Sequence, residues 1–379
     1  MSLYVDLSEF LGNPIKTGIQ RVLGEMCRYL PPEMIIPVRF ESERYVALSP
    51  ALIGAIGRYF VDANEAAAVE IRRLGALQSG LDVRLSWRDT VLVPDVFCNA
   101  ERVAFFHGMP QEEWRRVRFI VYDLLPLTHP QYFHPDAVLS LYAYYQLIRQ
   151  ADQCGFISED TRNIYYARLR RTDARGGAVL PLGCDSLGPR VDRPSFNRPL
   201  AFTVLGTIEP RKNHELIVDA FEPLLREVDG LSLTFVGKMG WVDSKFAERV
   251  QVLASNRNSG FQFDATPGDR VIRSYVERSR ATIYVSSAEG YGLPPVESLW
   301  LGTPVIAFKT IPSLTGIGNG GVHYVEPLTA ASLVKAVLAF LDEGYANQKI
   351  AETARLRLPT WKSFTEEVVR WCGHESLAA

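Results

Sequence analysis

The sequence predicts an α/β protein built from two domains, each with a parallel sheet. Apolar, strand-like runs alternate along the chain with amphipathic helical runs, which is the pattern of strand–helix–strand units. A Pro- and Gly-rich stretch without periodicity interrupts this alternation at 181–199, after which it restarts. The 379 residues also exceed what one hydrophobic core usually accommodates. We therefore expect domains at 1–185 and 200–359, joined by a linker at 186–199.

The individual elements follow from the period and the length of the apolar runs. In the helix predicted at 17–30, for example, Ile19, Val22 and Met26 recur at near-helical spacing. The first domain has strands predicted at 3–8, 118–127 and 153–158 and helices at 17–30, 137–151 and 159–169. The second has strands predicted at 200–206, 231–238, 281–287 and 304–308 and helices at 214–228 and 271–280.

Composition places the chain among ordinary globular proteins. Hydrophobic residues make up 47% and charged residues 22%, and the net charge of −2 argues against a nucleic-acid partner. The 5 cysteines are scattered without a CxxC pair, which favours a reducing compartment and argues against structural zinc. The sequence shows neither a signal peptide nor an apolar run of about eighteen residues, so we expect a cytoplasmic protein.

The stretch 281–307 carries the most functional information. A glycine-bearing turn follows a predicted strand and precedes a Pro-started helix, and Glu297 stands eight positions after Glu289. A helix N-terminus binds anions, glycine lets a ligand approach the backbone, and carboxylates accept hydrogen bonds from sugar hydroxyls. This combination suits a nucleotide sugar, which is half phosphate and half polyol. The simpler alternative is the βα corner of any Rossmann-like sheet, in which Pro294 and Pro295 only start the helix.

The string EGYGLPPVESLWLGTPVIA resembles, without a gap, the Glu–seven residues–Glu motif of the retaining glycosyltransferases of family four, which have the GT-B fold. The resemblance implies that Glu289 contacts the donor sugar and that Glu297 holds the ribose. It also implies two Rossmann-like domains facing a cleft, with a C-terminal helix at 360–379 that crosses back to the N-terminal domain. The donor-binding residues that it predicts in this motif are Glu289, Gly290, Tyr291, Gly292, Leu293 and Glu297.

A second motif, Gly206–Asn213, follows the strand predicted at 200–206. Arg211 and Lys212 stand at the carboxyl end of this strand, where they can neutralise a diphosphate. The alternative is a solvated basic pair near a helix start. The motif resembles the phosphate-binding loop of the same family, which implies that Lys212 contacts the donor diphosphate and that Arg211 supports it. The chain has Thr207 where many members have arginine, which leaves open which residue supplies a second cation.

Three further segments resemble parts of the donor and acceptor sites of this family. Lys238 ends a strand whose glycine turn lies near the nucleotide base in that family. Gly18 opens a helix after the first strand, which lets the donor approach a helix N-terminus, although a plain turn glycine explains it equally well. Tyr122 and Asp123 match the His-Asp-Leu-x-Pro element on the acceptor side, with tyrosine in place of histidine. His107, which we expect at the end of an apolar strand, is either a substitute for that histidine or a structural residue.

The resemblance therefore implies a retaining, metal-independent hexosyltransferase of cell-surface polysaccharide synthesis. Asp123, Glu289 and Lys212 are the candidate catalytic residues, since a carboxylate at a strand end positions an acceptor hydroxyl and Lys212 stabilises the leaving diphosphate. No Asp-x-Asp pair is placed at a strand end, so we expect no metal and no cofactor beyond the donor. GDP-mannose is the favoured donor.

The acceptor is expected to be an oligosaccharide or a lipid-linked glycan at the inner leaflet. A basic and aromatic stretch suits an anionic membrane surface, although a solvated helix face explains it equally well. The residues of this stretch are Arg162, Tyr165, Tyr166, Arg168, Arg170, Arg171 and Arg175. Two other functions share the fold: a nucleotide-sugar epimerase, which typically lacks the TIEPRKN loop, and a silent binding subunit, which would have eroded Glu289, Glu297 and Lys212.

Overall fold

The chain folds into two compact units. The computed structural model describes residues 2–14, 17–31, 33, 35–62, 65–83, 89–171, 176–318 and 320–373. The first unit comprises the described parts of 1–183 and 359–379, and the second comprises those of 184–358. Residues 186–199, which the sequence predicts as a linker, belong to the second unit. The buried guanidinium of Arg198 anchors this segment there by donating to the carbonyls of Ser279 and Gly302, each at 2.9 Å.

A mixed sheet forms the core of the first unit. Its described strands are β1 (Leu3–Asp6), β2 (Ile35–Glu41), β3 (Arg44–Leu48), β4 (Gln78–Asp82), β5 (Thr90–Val93), β6 (Val117–Val121), β7 (Cys154–Phe156) and β8 (Ala178–Val179). They lie in the order β4-β3-β2-β1-β5-β6-β7-β8. The β2–β3 and β3–β4 pairs are antiparallel and the other pairs are parallel. The chain leaves β1 towards β2 and returns to β5 on the other side, so the carboxyl ends of β1 and β5 mark a switch point.

Helices cover this sheet, and the last helix among the described residues is one of them. They are α1 (Ser8–Gly12), α2 (Gly18–Tyr29), α3 (Ala51–Asp62), α4 (Glu65–Ala76), α5 (Ala100–Gly108), α6 (Gln111–Trp114), α7 (Leu125–Thr128), α8 (Pro135–Ser140), α9 (Tyr142–Gln150), α10 (Glu159–Ile164) and α17 (Trp361–Trp371). Helix α17 starts with a capping box at Thr360, packs against α2 and buries Trp361 completely.

The second unit contains a fully parallel sheet. Its strands are β9 (Ala201–Leu205), β10 (Ser232–Val236), β11 (Phe261–Asp264), β12 (Ala281–Tyr284), β13 (Val305–Phe308) and β14 (Val322–Val325). Their order, β11-β10-β9-β12-β13-β14, is the Rossmann order with its switch point between β9 and β12. Buried aromatic and aliphatic side chains such as Phe202, Phe235 and Ile283 form the core beneath the helices.

The helices of the second unit alternate with these strands. They are α11 (His214–Glu227), α12 (Ser244–Ser255), α13 (Asp269–Arg278), α14 (Leu293–Trp300), α15 (Ala330–Leu341) and α16 (Glu343–Thr353). A 3₁₀ turn at Pro210–Lys212 precedes α11. Within the described ranges, no helix is both long and apolar enough to cross a bilayer.

Two short segments of the first unit differ from the sequence prediction. The prediction that His107 ends an apolar strand is wrong: residues 105–108 form the end of α5, which Asn99 caps and which buries Val103 and Phe106 at helical spacing. The strand predicted at 118–127 ends at Val121, because the Asp123 carboxylate accepts the backbone N–H of Leu125 and begins a short helix there.

Candidate active site

Two loops meet at the switch point of the second unit. One follows β9 and spans 206–213, and the other follows β12 and spans 285–292. The Asn213 side chain joins them, because its amide donates to the Val285 carbonyl at 2.7 Å and to the Ser287 hydroxyl at 2.8 Å. Asn213 has a φ of +56°, a left-handed conformation that asparagine tolerates better than most residues. The backbone N–H of Ser287 donates to the Arg211 carbonyl at 2.7 Å. Hydrogen bonds in both directions therefore hold the two loops together.

Gly206 makes room for the side chain of Lys212. Gly206 has a φ of +117°, and a Cβ at this position would lie 2.6 Å from Nζ of Lys212. The glycine therefore lets the ammonium group lie directly against the end of β9. Lys212 retains 13% of its side-chain surface exposed, which leaves its ammonium group within reach of a bound anion.

Arg211 is held by two carboxylates. Its Nη1 lies 2.5 Å from Oε1 of Glu289, and its Nη2 lies 2.6 Å from Oε1 of Glu209. Nη1 also donates to the Ala288 carbonyl at 2.9 Å. Oε1 of Glu209 lies 3.5 Å from Nζ of Lys212 as well. The cluster thus contains two cations and two carboxylates. The guanidinium of Arg211 pairs with both carboxylates and so holds them in place.

The electrostatics of this cluster keep Glu289 ionised. Burial alone would raise the pKa of Glu289, but the charges of Arg211 and Lys212 and the hydrogen bonds from Arg211 and Tyr284 hold it below its ordinary value. The Tyr284 hydroxyl donates to Oε1 of Glu289 at 2.6 Å, the same oxygen that Arg211 contacts. A largely buried, ionised carboxylate with 9% of its side-chain surface exposed, held at one oxygen, is suited to accept a hydrogen bond from a sugar hydroxyl at the other.

Helix α14 places Glu297 one turn beyond the 285–292 loop. Gly292 precedes the helix with a φ of +89°, and a Cβ there would lie 2.9 Å from Cγ2 of Ile311. Glu297 is buried, and its Oε1 accepts the Ser186 hydroxyl at 2.5 Å. Pro294 and Pro295 carry no backbone N–H, so the start of α14 offers an anion fewer donors than a helix without prolines in its first turn.

The remaining predicted donor residues of the second unit lie around the same edge of the sheet. Tyr291 is buried and its carbonyl accepts the N–H of Ser313 at 2.9 Å, and Gly290 precedes it in the loop. Leu293 is the first residue of α14. Lys238 follows β10, and its carbonyl accepts the N–H of Ile208 at 2.9 Å. The structure therefore brings the donor residues predicted in this unit together at the carboxyl ends of β9, β10 and β12.

The predicted residues of the first unit have more varied environments. Gly18 is the first residue of α2, which the Thr17 hydroxyl caps. Asp123 is half-buried, and its Oδ1 accepts the backbone N–H of Leu125 at 3.0 Å, just before α7. The Tyr122 hydroxyl is buried and donates to the Pro94 carbonyl at 2.5 Å. His107 is exposed in the last turn of α5.

A charged cluster at the switch point of the first sheet was not predicted from the sequence. Arg102 contacts Oδ2 of Asp6, and its Nη1 lies 3.2 Å from Oε1 of Glu9. The Tyr45 hydroxyl donates to Oδ2 of Asp6 at 2.6 Å. Burial and the nearby charges of Glu9 and Asp6 raise the pKa of Asp95 to about 7, despite the opposing contributions of its bond from the Val96 N–H and of the Arg102 charge. These residues are distant in sequence, so only the fold reveals the cluster.

The basic and aromatic stretch is only partly available at the surface. Arg162 pairs with Glu159 at 2.6 Å, and the buried Tyr165 donates its hydroxyl to the Ile148 carbonyl at 2.7 Å. Arg168, Arg170 and Arg171 are exposed, and Arg175 lies outside the described residues. In the part of the chain that the structure describes, no three His, Cys, Asp or Glu side chains form a group that could hold a metal ion.

Comparison with known proteins finds one family model and several relatives that resemble this chain. Residues 190–357 match the family model described as glycosyl transferases group 1. The serotype-specific mannosyltransferase WbdA of Escherichia coli is 26% identical over 273 residues, which cover 66% of this chain and 33% of that protein. The O-antigen chain mannosyltransferase B of Escherichia coli is 27% identical over 168 residues, 44% of this chain and 43% of that protein. The chain thus spans about a third of the length of the first of these relatives.

Solved structures with similar architecture confirm the predicted fold. Anabaena Alr3699/HepE in complex with UDP and glucose has a TM-score of 0.63 at 12% identity, and the match covers 98% of each chain. The sucrose-phosphate synthase of Thermosynechococcus elongatus has a TM-score of 0.62 at 14% identity, with 100% of each chain covered. At such identities the likeness establishes the fold, which is GT-B.

Proposed function

We propose that this chain is a retaining, metal-independent glycosyltransferase, and the match of residues 190–357 to the model of glycosyl transferases group 1 supports this proposal. It moves a hexose, with mannose favoured, from a nucleotide sugar to a glycan or lipid-linked acceptor in cell-surface polysaccharide synthesis. The two named relatives support this assignment, since both are mannosyltransferases and one is named for the O-antigen chain. They support a mannose donor more directly than they support any particular acceptor.

One observation carries the proposal: Lys212 and Glu289 lie on adjoining loops at the switch point of the second unit. The Rossmann-type sheet binds ligands at the carboxyl ends of its strands, beside this point. Lys212 lies against Gly206 at the end of β9, and Glu289 lies beyond the end of β12. Arg211 contacts Glu289 directly, and Glu209 contacts both Arg211 and Lys212. A cation and an ionised acid so placed suit the diphosphate and the sugar of one donor.

The chemistry that we propose needs no protein nucleophile. The acceptor hydroxyl attacks C1 of the donor sugar from the face on which the diphosphate departs, and the bond from C1 to the diphosphate oxygen breaks. The hydroxyl proton passes to that oxygen, so the sugar keeps its anomeric configuration. Lys212 and the backbone N–H groups of the loops stabilise the charge that develops on the diphosphate. Glu289 accepts a hydrogen bond from a sugar hydroxyl and fixes the sugar for attack.

A donor screen tests this function. GDP-mannose, UDP-glucose, dTDP-rhamnose and ADP-glucose are each added to the protein, and the shift in melting temperature and the heat of binding are measured. The preferred donor is then incubated with an alkyl mannobioside, and the product anomer is determined by NMR. We expect transfer from GDP-mannose with retained configuration, undiminished by excess EDTA.

Each of three results would contradict one part of the proposal. Hydrolysis or epimerisation of the donor without transfer would replace the transferase by another sugar-nucleotide enzyme. An inverted product would contradict the retaining mechanism. Loss of transfer on chelation, restored by Mg²⁺ or Mn²⁺, would contradict metal independence.

A further inference from the structure

Tyr284 is a buried residue whose side-chain hydroxyl is hydrogen-bonded to Glu289. It ends β12, is 5% exposed, and donates its hydroxyl to Oε1 of Glu289 at 2.6 Å. Nη1 of Arg211 lies 2.5 Å from the same oxygen. The ring of Tyr284 packs beside Gly292, since a Cβ on that glycine would lie 3.4 Å from Cε1 of the tyrosine. The tyrosine thus stands between the end of the strand and the turn that starts α14.

The two contacts both reach the same oxygen of the Glu289 carboxylate. Oε1 receives both the tyrosine hydroxyl and the guanidinium, whereas no described residue donates a hydrogen bond to Oε2. A carboxylate is planar and accepts at about four positions. Fixing one of its oxygens from two directions sets the plane of the group and the direction in which the other oxygen points. The free oxygen is then oriented before any ligand binds, which lowers the cost of ordering it on binding.

We propose that Tyr284 is a positioning residue that acts through Glu289, holding one carboxylate oxygen so that the other meets a hydroxyl of the donor sugar. This inference rests on the proposed function, because it assigns the sugar contact to Glu289. It adds to that function a residue outside the Glu–seven residues–Glu motif. The competing explanation is that the hydroxyl only satisfies a buried tyrosine. In that case its removal changes stability and leaves the chemistry alone.

The pH dependence of transfer separates these explanations. The charged and titratable groups that face Glu289 are Arg211 and Lys212 from the loop after β9 and Tyr284 from β12, with Glu209 behind Arg211. The tyrosine hydrogen bond favours the ionised carboxylate, so its loss raises the pKa of Glu289. A purely structural hydroxyl would leave the acid limb of the pH–rate profile where it is.

Tyr284→Phe is the variant that tests the inference, because it removes one hydroxyl and keeps the ring. With GDP-mannose as donor, we expect turnover at neutral pH to fall by about ten- to a hundred-fold, the range for a hydrogen bond to a charged group. The acid limb of kcat should move to higher pH. Affinity for GDP, which carries the ribose but lacks the transferred hexose, should stay within about twofold of the wild type.

Tyr345→Phe is the matched control. It also removes a tyrosine hydroxyl whose hydrogen bond is 2.6 Å long, in this case to Nδ1 of His323 in the same unit. We expect a similar change in melting temperature and no change in turnover or in the pH profile. If Tyr284→Phe does not fold, Arg211→Lys takes its place. That variant keeps the charge and removes the guanidinium contact to Oε1, so the same changes in turnover and pH profile are expected.

A double-mutant cycle gives the decisive result. If Tyr284 acts through Glu289, then adding Tyr284→Phe to Glu289→Gln should lower turnover no further than Glu289→Gln alone. Wild-type turnover and pH profile in Tyr284→Phe, or fully additive losses in the double variant, would overturn the inference while leaving the proposed function intact. A wild-type protein that transfers no sugar from any tested donor overturns both, so the two failures are distinguishable.

Discussion

The guanidinium of Arg211 is shared between Glu289 and Glu209, at 2.5 and 2.6 Å. Arg211 and Lys212 are adjacent in sequence, yet their charges have different partners. The charge of Arg211 is met by two carboxylates inside the protein, and Lys212 has one carboxylate, Glu209, at 3.5 Å. Lys212 is therefore the better candidate to receive a diphosphate, and Arg211 orders Glu289, the carboxylate that we propose faces the sugar.

The first prediction concerns Lys212. Lys212→Ala should weaken the binding of GDP by about ten- to a hundred-fold, since a hydrogen bond to a charged group contributes about 1.5–3 kcal/mol. The fold should persist, because Gly206 and the loop hydrogen bonds of Asn213 do not depend on the ammonium. Isothermal calorimetry gives the affinity and circular dichroism checks the fold.

Lys335→Ala serves as the control, because this lysine is exposed on α15. It should bind GDP as the wild type does. An unchanged affinity in Lys212→Ala would remove Lys212 from the diphosphate site.

The second prediction concerns the internal role of Arg211. Arg211→Met leaves Glu289 and Glu209 buried without their shared cation, so it should destabilise the second unit by about 3 kcal/mol. This corresponds to a fall of roughly 6–12 °C in melting temperature. Arg249→Met, which breaks the more exposed pairs with Asp219 and Glu222, should cost much less.

This loss should depend on pH in a defined direction. The pKa of Glu289 in the folded protein lies below its ordinary value of 4.5, so the ion pair stabilises the fold above that value and stops doing so as pH falls through the folded pKa. The difference in melting temperature between wild type and Arg211→Met should therefore be larger at pH 7 than at pH 3. An equal difference at both values would show that lost packing, rather than the ion pair, explains the effect.

The third prediction concerns Asp95 in the first unit. Its folded pKa of about 7 lies above the ordinary value of 3.8, so its ionisation opposes folding as pH rises from about 4 through 7. Asp95→Asn should raise the melting temperature at pH 8 by about 4 °C or more and change it little near pH 4. The asparagine oxygen can still accept the Val96 N–H, which lies 3.0 Å from Oδ1.

Melting curves of wild type and Asp95→Asn at the two pH values test this, with Asp152→Asn as an exposed control in the same unit. A variant that is less stable than the wild type at pH 8 would show that Asp95 is ionised and stabilising there.

The sequence predicts local features of the site better than its long-range contacts. The glycine turn and the Pro-started helix that follows it are predicted from residues that are neighbours in the chain, and the structure places the start of that helix at Leu293. The strand predicted to end at His107 is wrong because a short apolar run fits a buried helix as well as a strand. Ser186 reaches Glu297 across 111 positions, and Arg102 reaches Glu9 across 93. Such pairs depend on strand order, which periodicity does not encode.

The partners of Arg211 illustrate the same limit. The basic pair at 211–212 is evident from the sequence, and its place at a strand end is predicted correctly. That Arg211 contacts Glu289 follows only once β9 and β12 are known to be neighbours. The hydroxyl of Tyr284 is five positions from Glu289, but it reaches the carboxylate because of the turn between them.

The central claim is that Glu289 serves the sugar and Glu297 the ribose, and paired substitutions test it most directly. GDP affinity, turnover with GDP-mannose and melting temperature are measured for Glu289→Gln and Glu297→Gln. We predict that Glu297→Gln weakens GDP and GDP-mannose alike, because both carry the ribose. Glu289→Gln should leave GDP affinity nearly unchanged and lower turnover, because its contact belongs to the reacting sugar. The account is contradicted if Glu289→Gln weakens GDP binding as much as Glu297→Gln does.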